Sequence, residues 1–235
     1  TLTPTAGIAD TSNLITLTNA GVQDAAGNIG IGSTASNLYA IDGVRPTATI
    51  QVADNALSAG ETSSVTITFS EVVSGLDLAD FSVENGVLSN LSSTDGGMTW
   101  TATLTPTAGI ADTSNLITLN NAGVQDAAGN TGTGSTASNL YAIDTRAPTV
   151  TSVGVPVGVP YNAGDTLTFV VNASEAVLVN GTPRLALDIG GTTVFADYVA
   201  GSGTATLVFQ YSVQAGLNDA DGIAVTGLVA NGGSL

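Results

Sequence analysis

Cysteine, histidine and lysine are absent from this 235-residue sequence, and positive charge of any kind is scarce. Arg45, Arg146 and Arg184 face nineteen carboxylates, for a formal net charge of −16. Without cysteine there is no disulfide framework and no thiolate metal site. Without histidine or cysteine there is no Ser-His triad and no thiol nucleophile, and without lysine no Schiff base. The negative balance argues against nucleic acid or an anionic membrane surface as partner and suits attraction of cations. Charged residues make up 9% of the chain, against about 25% in an average soluble domain. The polar surface must therefore be built mainly from Thr, Ser, Asn and backbone. No apolar run approaches the ~20 residues of a membrane-spanning helix, so membrane insertion is not expected.

What is present is a stretch written twice. Thr1–Asp42 and Thr103–Asp144 differ at three positions, Thr18/Asn120, Ile29/Thr131 and Ile31/Thr133, at an offset of 102 residues. A period of that length is one domain-sized unit in tandem. The unit seen whole runs from about Arg45. Thr47–Asp54, Ser64–Ser70, Asp80–Glu84, Val87–Leu91, Thr99–Thr105, Asn115–Leu119 and Asn139–Asp144 are short, rich in β-branched residues and alternate with period two, although Val87–Leu91 is a weak segment. Turn residues separate them, at Asn55–Gly60, Glu84–Gly86 and Asp95–Gly97. Seven such strands in about 100 residues predict an all-β fold of tandem immunoglobulin-like sandwiches in a rod, here without the Cys–Trp–Cys core.

The expected organisation is three units. Residues 1–44 are the closing part of a repeat, 45–146 a complete repeat, and 147–235 a diverged and truncated one. Pro46-Thr47 aligns with Pro148-Thr149, Gly60-Glu61-Thr62 with Gly164-Asp165-Thr166, and Ser70-Glu71 with Ser174-Glu175. The offset grows to 104, which places a two-residue insertion around Val155 to Tyr161. The first residue falls inside a repeat and is not Met, so the sequence reads as a piece of a longer protein. The links Asp42–Pro46 and Asp144–Pro148 are short and end in proline, which predicts semi-rigid spacing.

These motifs, in this order, resemble a known family. Pro46-Thr-Ala-Thr-Ile, the Leu57–Gly60 turn, Phe69-Ser-Glu71, Asp80-Phe81 and Asp126-Ala-Ala-Gly-Asn130 are similar to those of bacterial Ig-like repeats. Pro183–Asp188 and Gly201–Leu207 resemble a sister type. The resemblance implies the extender region of a large secreted or cell-surface adhesin of the RTX or biofilm kind, and Ca²⁺ near domain junctions that stiffens the rod. Partners would be neighbouring repeats of the same chain and other copies of itself.

Ca²⁺ takes six to eight oxygen ligands, and Asp, Asn and a tight turn supply them at Asp24–Asn28 and Asp126–Asn130. The candidate metal ligands are Asp24, Asn28, Asp42, Asp54, Glu71, Asp126, Asn130 and Asp144. Two readings stand for the loop: the Asp and Asn serve the turn as local acceptors, or they hold a cation. The acidic excess and the resemblance favour the cation. Asp42 and Asp144, at the junctions, are equally readable as interdomain cation ligands and as linker acids, solvated or paired with Arg45 or Arg146. Asp10-Thr-Ser and Asp112-Thr-Ser faintly resemble an aspartic-protease motif without its hydrophobic context, and read better as polar turns. No catalytic residues are expected. Two other functions stay open: a self-assembling extracellular filament or surface layer completed by strand addition between chains, and a glycan-binding module, for which Trp100 and a few tyrosines are the available stacking platforms.

Overall fold

The computed structural model describes residues 1–157, 160–220 and 222–235. The expected insertion around Val155 to Tyr161 lies partly outside the described residues. The chain divides into two compact units, Thr1–Arg146 and Ala147–Leu235. Both are built of β-strands, with three single-turn 3₁₀ segments and no α-helix among the described residues.

In the first unit the complete repeat is a sandwich. One layer is a four-stranded antiparallel sheet in the order Gly86–Ser93, Thr99–Pro106, Ser63–Phe69, Ala48–Val52. Facing it are two three-stranded groups. One is Ala111–Asn115, Tyr141–Asp144 and Ala56–Ser58; the other is Ser135–Ala137, Ile117–Asn120 and Phe81–Val83. Alternation puts Val65, Ile67 and Phe69 inward on one strand and Thr66 and Thr68 outward. The core closes over Val52, Leu57, Leu104, Ile117, Leu119, Tyr141 and Ile143. Trp100 packs on this core, half-buried, with its indole N–H donating to the Gly97 carbonyl at 3.1 Å.

Three departures from the expected strands have physical causes. Asn55–Gly60 reads as a turn, yet Ala56–Ser58 is a strand lying parallel to Tyr141–Asp144, because Leu57 is drawn fully into the core. Val87–Leu91 reads as weak, yet Gly86–Ser93 is eight residues long. A bulge between Ser89 and Ser92, with Asn90 at φ +55°, breaks the alternation that marks a strand in sequence. Asn115–Leu119 reads as one strand, yet the chain changes partner there. Ala111–Asn115 pairs with Tyr141–Asp144, and Ile117–Asn120 with Phe81–Val83 and Ser135–Ala137.

The crossover is stitched by buried polar groups. The fully buried Asn115 accepts from Asn85 Nδ2 at 2.6 Å and donates to the carbonyls of Asp112 and Tyr141. The Tyr141 hydroxyl donates to the Glu84 carbonyl at 2.6 Å, and burial, then the Glu84 charge, push the phenol up to about 12. Tyr141→Phe leaves that carbonyl without its donor and is expected to lower the stability of this repeat by about 1–2 kcal/mol in urea melts followed by Trp100 fluorescence.

The Ser93–Thr99 connection is held by Asp95, whose Oδ1 accepts from the backbone N–H of Thr99 at 2.9 Å and Met98 at 3.2 Å and from the Ser93 hydroxyl at 2.9 Å. Led by the Thr99 backbone bond, these donors hold the carboxyl down to about 2. A depressed carboxyl contributes stability above its unfolded pKa of ~3.9 and loses it as pH falls through the folded value. Asp95→Asn is therefore expected to shrink the gap between melting temperatures at pH 5 and pH 2, read by calorimetry.

Residues 1–44 form the same hairpins as 103–146. Ala9–Asn13 pairs with Tyr39–Asp42, and Thr16–Thr18 with Ser33–Ala35. Among the described residues they have no counterpart of the four-stranded layer.

The second unit is one antiparallel sheet of six strands in the order Val150–Gly154, Thr166–Val177, Thr204–Ser212, Thr192–Ala200, Arg184–Ile189, Ala224–Val229. The twelve-residue strand Thr166–Val177 shifts register between Asn172 and Val177, a break that lets one strand bend around a core. That core is Leu167, Phe169, Val171, Leu185, Leu187, Leu207 and Phe209. Tyr198 and Phe209 meet edge to face at 5.7 Å.

Candidate metal centre

The Asp-Ala-Ala-Gly-Asn loop folds as a turn in both copies, by the same bonds. Asp126 Oδ1 accepts from the backbone N–H of Ala128 at 2.9 Å and of Asn130 at 2.8 Å, and Oδ2 accepts from Asn130 Nδ2 at 2.7 Å. Asp24 accepts from Ala26, Asn28 and Asn28 Nδ2 at 2.9, 2.9 and 2.8 Å. Gly27 and Gly129 sit at φ +92° and +90°, a conformation that costs glycine nothing. The Asn side chain above all holds each carboxyl below its usual range, and at Asp126 burial opposes it.

The two loops differ in what stands around them. Asp126 is buried and Asp24 is exposed. At the link between residues 1–44 and the complete repeat, Asn130 Nδ2 also donates to the Asp42 carbonyl at 3.1 Å, and the Arg45 guanidinium donates to the Thr131 carbonyl. These bonds bring the end of strand Tyr39–Asp42 onto the loop. Carboxylate oxygens of Asp42, Glu71 and Asp126 then lie within 4.8 Å of one another. Glu71 reaches the cluster because Ser70 and Glu71 end strand Ser63–Phe69 at the same pole of the sandwich. Burial first, then the charges of Asp126 and Asp42, push its carboxyl up.

Of the eight candidate ligands, the fold thus gathers Asp42, Glu71 and Asp126, with Asn130 tying two of them together. Asp24 and Asn28 hold only their own turn. Asp54 accepts from the Ala56 N–H at 3.0 Å and starts strand Ala56–Ser58; Asp144 ends its strand and accepts from the Arg146 N–H at 3.3 Å. The pairing of Asp42 with Arg45 is not what forms, since the guanidinium is turned to Thr131. Among the described residues the ion pair within 4 Å is Arg184–Asp197, at 2.8 Å.

Three hard oxygen donors with no imidazole or thiolate suit Ca²⁺ or a similar hard cation. A cation at their centre would offset three like charges and leave further positions for carbonyls or water. The Asp-Thr-Ser segments are polar turns: Asp10 and Asp112 each accept from the backbone N–H and the hydroxyl of the serine two residues on. Asn85 and Asn115, which position the crossover beside Asp112, are not legible as a pair in sequence, where Asn85 sits in an ordinary turn.

A family model described as "Bacterial Ig-like domain" matches residues 1–41 and 42–143. No curated protein matches the chain. Among solved structures, FdeC, described as a broadly conserved Escherichia coli adhesin eliciting protection against urinary tract infections, is 14% identical over 98% of this chain and 84% of that one. Its TM-score is 0.41, a likeness too loose to carry function.

Proposed function

Since the chain belongs to the bacterial Ig-like domain family, we propose that it is a run of extender repeats from a large bacterial surface or secreted adhesin of the RTX or biofilm type, with Ca²⁺ clamping the link at Asp42. The Ig-like fold and the lack of histidine, cysteine and lysine for nucleophile–base chemistry favour a structural role over catalysis. No helix among the described residues is long and apolar enough to cross a membrane.

The observation behind the clamp is that Asp42 ends one repeat while Glu71 and Asp126 belong to the next, and their carboxylate oxygens lie within 4.8 Å. A cation shared by the three favours the docked arrangement of the two segments over any splayed one. An ion that binds only this state stabilises it by about 2.7 kcal/mol at a hundred times Kd, and extracellular sites need Kd of only about 10⁻⁴–10⁻³ M.

The test is calorimetric. Millimolar Ca²⁺ is expected to raise the melting temperature of the first unit relative to EDTA, and Glu71→Gln to abolish that rise. In EDTA the same substitution removes a like charge and is expected to leave stability unchanged or raised by no more than about 1 kcal/mol. A Ca²⁺ response that survives in Glu71→Gln would place the ion elsewhere. No response in the parent chain would remove the clamp and leave the spacer reading to stand on the fold.

A further inference from the structure

The two ends of the complete repeat are bonded to each other. The chain enters at Pro46, runs through Ala48–Val52 in one layer, crosses over at 53–55 and continues as Ala56–Ser58 in the other. It leaves through Tyr141–Asp144. Along this course the entering segment lies parallel to the leaving one. Ile50 forms a parallel bridge with Ser138. The Val52 N–H donates to Asn139 Oδ1 at 2.8 Å, and Asn139 Nδ2 donates to the Val52 carbonyl at 3.2 Å. The Ala142 N–H donates to the Asn55 carbonyl at 2.8 Å, and Ala56, Leu57 and Ser58 then pair with Ala142, Ile143 and Asp144. Among the described residues every other strand pairing is antiparallel.

Strand direction decides what tension does to such a pair. When the repeat is pulled by its two ends, Ala56–Ser58 is drawn back toward the point of entry and Tyr141–Asp144 forward toward the point of exit. Parallel strands held in this way slide past each other. The bonds between them run across the strands, so they are strained together and share the load. The same strands parted from one end would open a bond at a time. Leu57, Tyr141 and Ile143 are each 1% exposed, so the core seals one side of the pair against water. Ala48–Val52 also pairs with Ser63–Phe69, but that strand is not an end of the repeat, and releasing it leaves the two ends joined.

We propose that the parallel pair Ala56–Ser58 and Tyr141–Asp144, with the Val52–Asn139 bonds beside it, is a tensile latch by which this repeat bears force along the chain. While it holds, the residues between the two strands, most of the core included, are shielded from load. Its role in a surface protein rests on the extender reading above. The latch itself is a property of one repeat, so a failed force measurement removes the latch and leaves the extender reading to stand on the fold.

The test is single-molecule extension of the full chain through introduced cysteines, since the sequence has none of its own. In one variant, Val44→Cys and Ala147→Cys put the handles just outside the two ends of the repeat. In the other, Ala59→Cys and Ala147→Cys put both handles beside the Ser58 and Asp144 ends of the paired strands. All three positions are exposed. EDTA is present throughout, so that no cation contributes. The unfolding barrier along the pulling direction sets the force, and equilibrium stability does not. At equal loading rate the first variant is expected to unfold at roughly three times the force of the second, three residue pairs yielding together instead of in turn. Ala142→Pro, which removes the donor to the Asn55 carbonyl, is expected to lower the force in the first geometry. Equal forces in the two geometries overturn the proposal, and that comparison leaves the latch residues unsubstituted. An Ala142→Pro chain with native Trp100 fluorescence and undiminished end-to-end force overturns it as well.

Discussion

Leu119→Ala is expected to destabilise the complete repeat by about 2–5 kcal/mol, the range for emptying a well-packed leucine site, while Leu17→Ala in the same local sequence should change stability by less than about 0.5 kcal/mol. The two leucines share their neighbours for many residues on either side, apart from Thr18/Asn120. They differ in cover. Leu119 is fully buried in the core that also holds Ile67 and Leu104, whereas Leu17 stands more than half exposed. The single tryptophan, Trp100, packs on the core around Leu119, so its fluorescence follows that repeat alone during a urea titration. A midpoint shift for Leu119→Ala and none for Leu17→Ala separates burial from local propensity, because propensity is matched at the two sites. Equal shifts would mean that residues 1–44 are covered in solution.

Gly97→Ala is expected to cost about 2–4 kcal/mol, from a left-handed backbone and a collision that cannot relax cheaply. Gly97 sits at φ +113°, and a Cβ added there would stand 2.3 Å from the Val73 carbonyl oxygen, a backbone atom. The glycine carbonyl accepts from the Val73 N–H at 3.2 Å and from the Trp100 indole, so the close approach is also what joins the Ser93–Thr99 connection to strand Val73–Ser74. Moving one edge to make room disturbs both bonds. Gly96→Ala is the control: its φ is +83° with nothing within 4 Å of the added carbon. It should cost only the backbone strain of an L-residue there, about 1 kcal/mol. The difference between the two melts isolates the contact with Val73. If the two substitutions cost the same, the close approach of Gly97 to Val73 does not constrain this repeat.

The all-β class and most strands are legible because their signal is local. Ser64–Ser70 alternates cleanly and becomes strand Ser63–Phe69; Thr99–Thr105 is found as strand Thr99–Pro106. The failures share a cause. Ala56–Ser58 is a strand because Tyr141–Asp144, more than eighty residues away, gives it an edge and the core takes Leu57. The bulge at Ser89–Ser92 hides an eight-residue strand from any rule of alternation. At the candidate metal centre, composition and turn chemistry single out the acidic and amide residues but not their grouping. Nothing in the order of residues says that Asp42 joins the loop of the following repeat, or that Asp54 and Asp144 stay with their own strands. Asn130 Nδ2, bonded to both Asp126 and the Asp42 carbonyl, makes that choice, and its reach across the link is a property of the assembled sandwich.

The doubled stretch separates the two levels within one molecule. From residues 1–42 and 103–144 the sequence by itself determines the hairpin registers, the 3₁₀ turn and the Asp–Asn loop, down to hydrogen bonds that agree within 0.1 Å. These contacts join residues that both copies contain, so they form with or without a partner layer. Tertiary structure alone decides whether Leu17 or Leu119 is buried and whether Asp24 or Asp126 meets other carboxylates. Burial and charge clustering depend on surfaces brought from elsewhere in the chain, and only one copy has residues 45–102 packed against it.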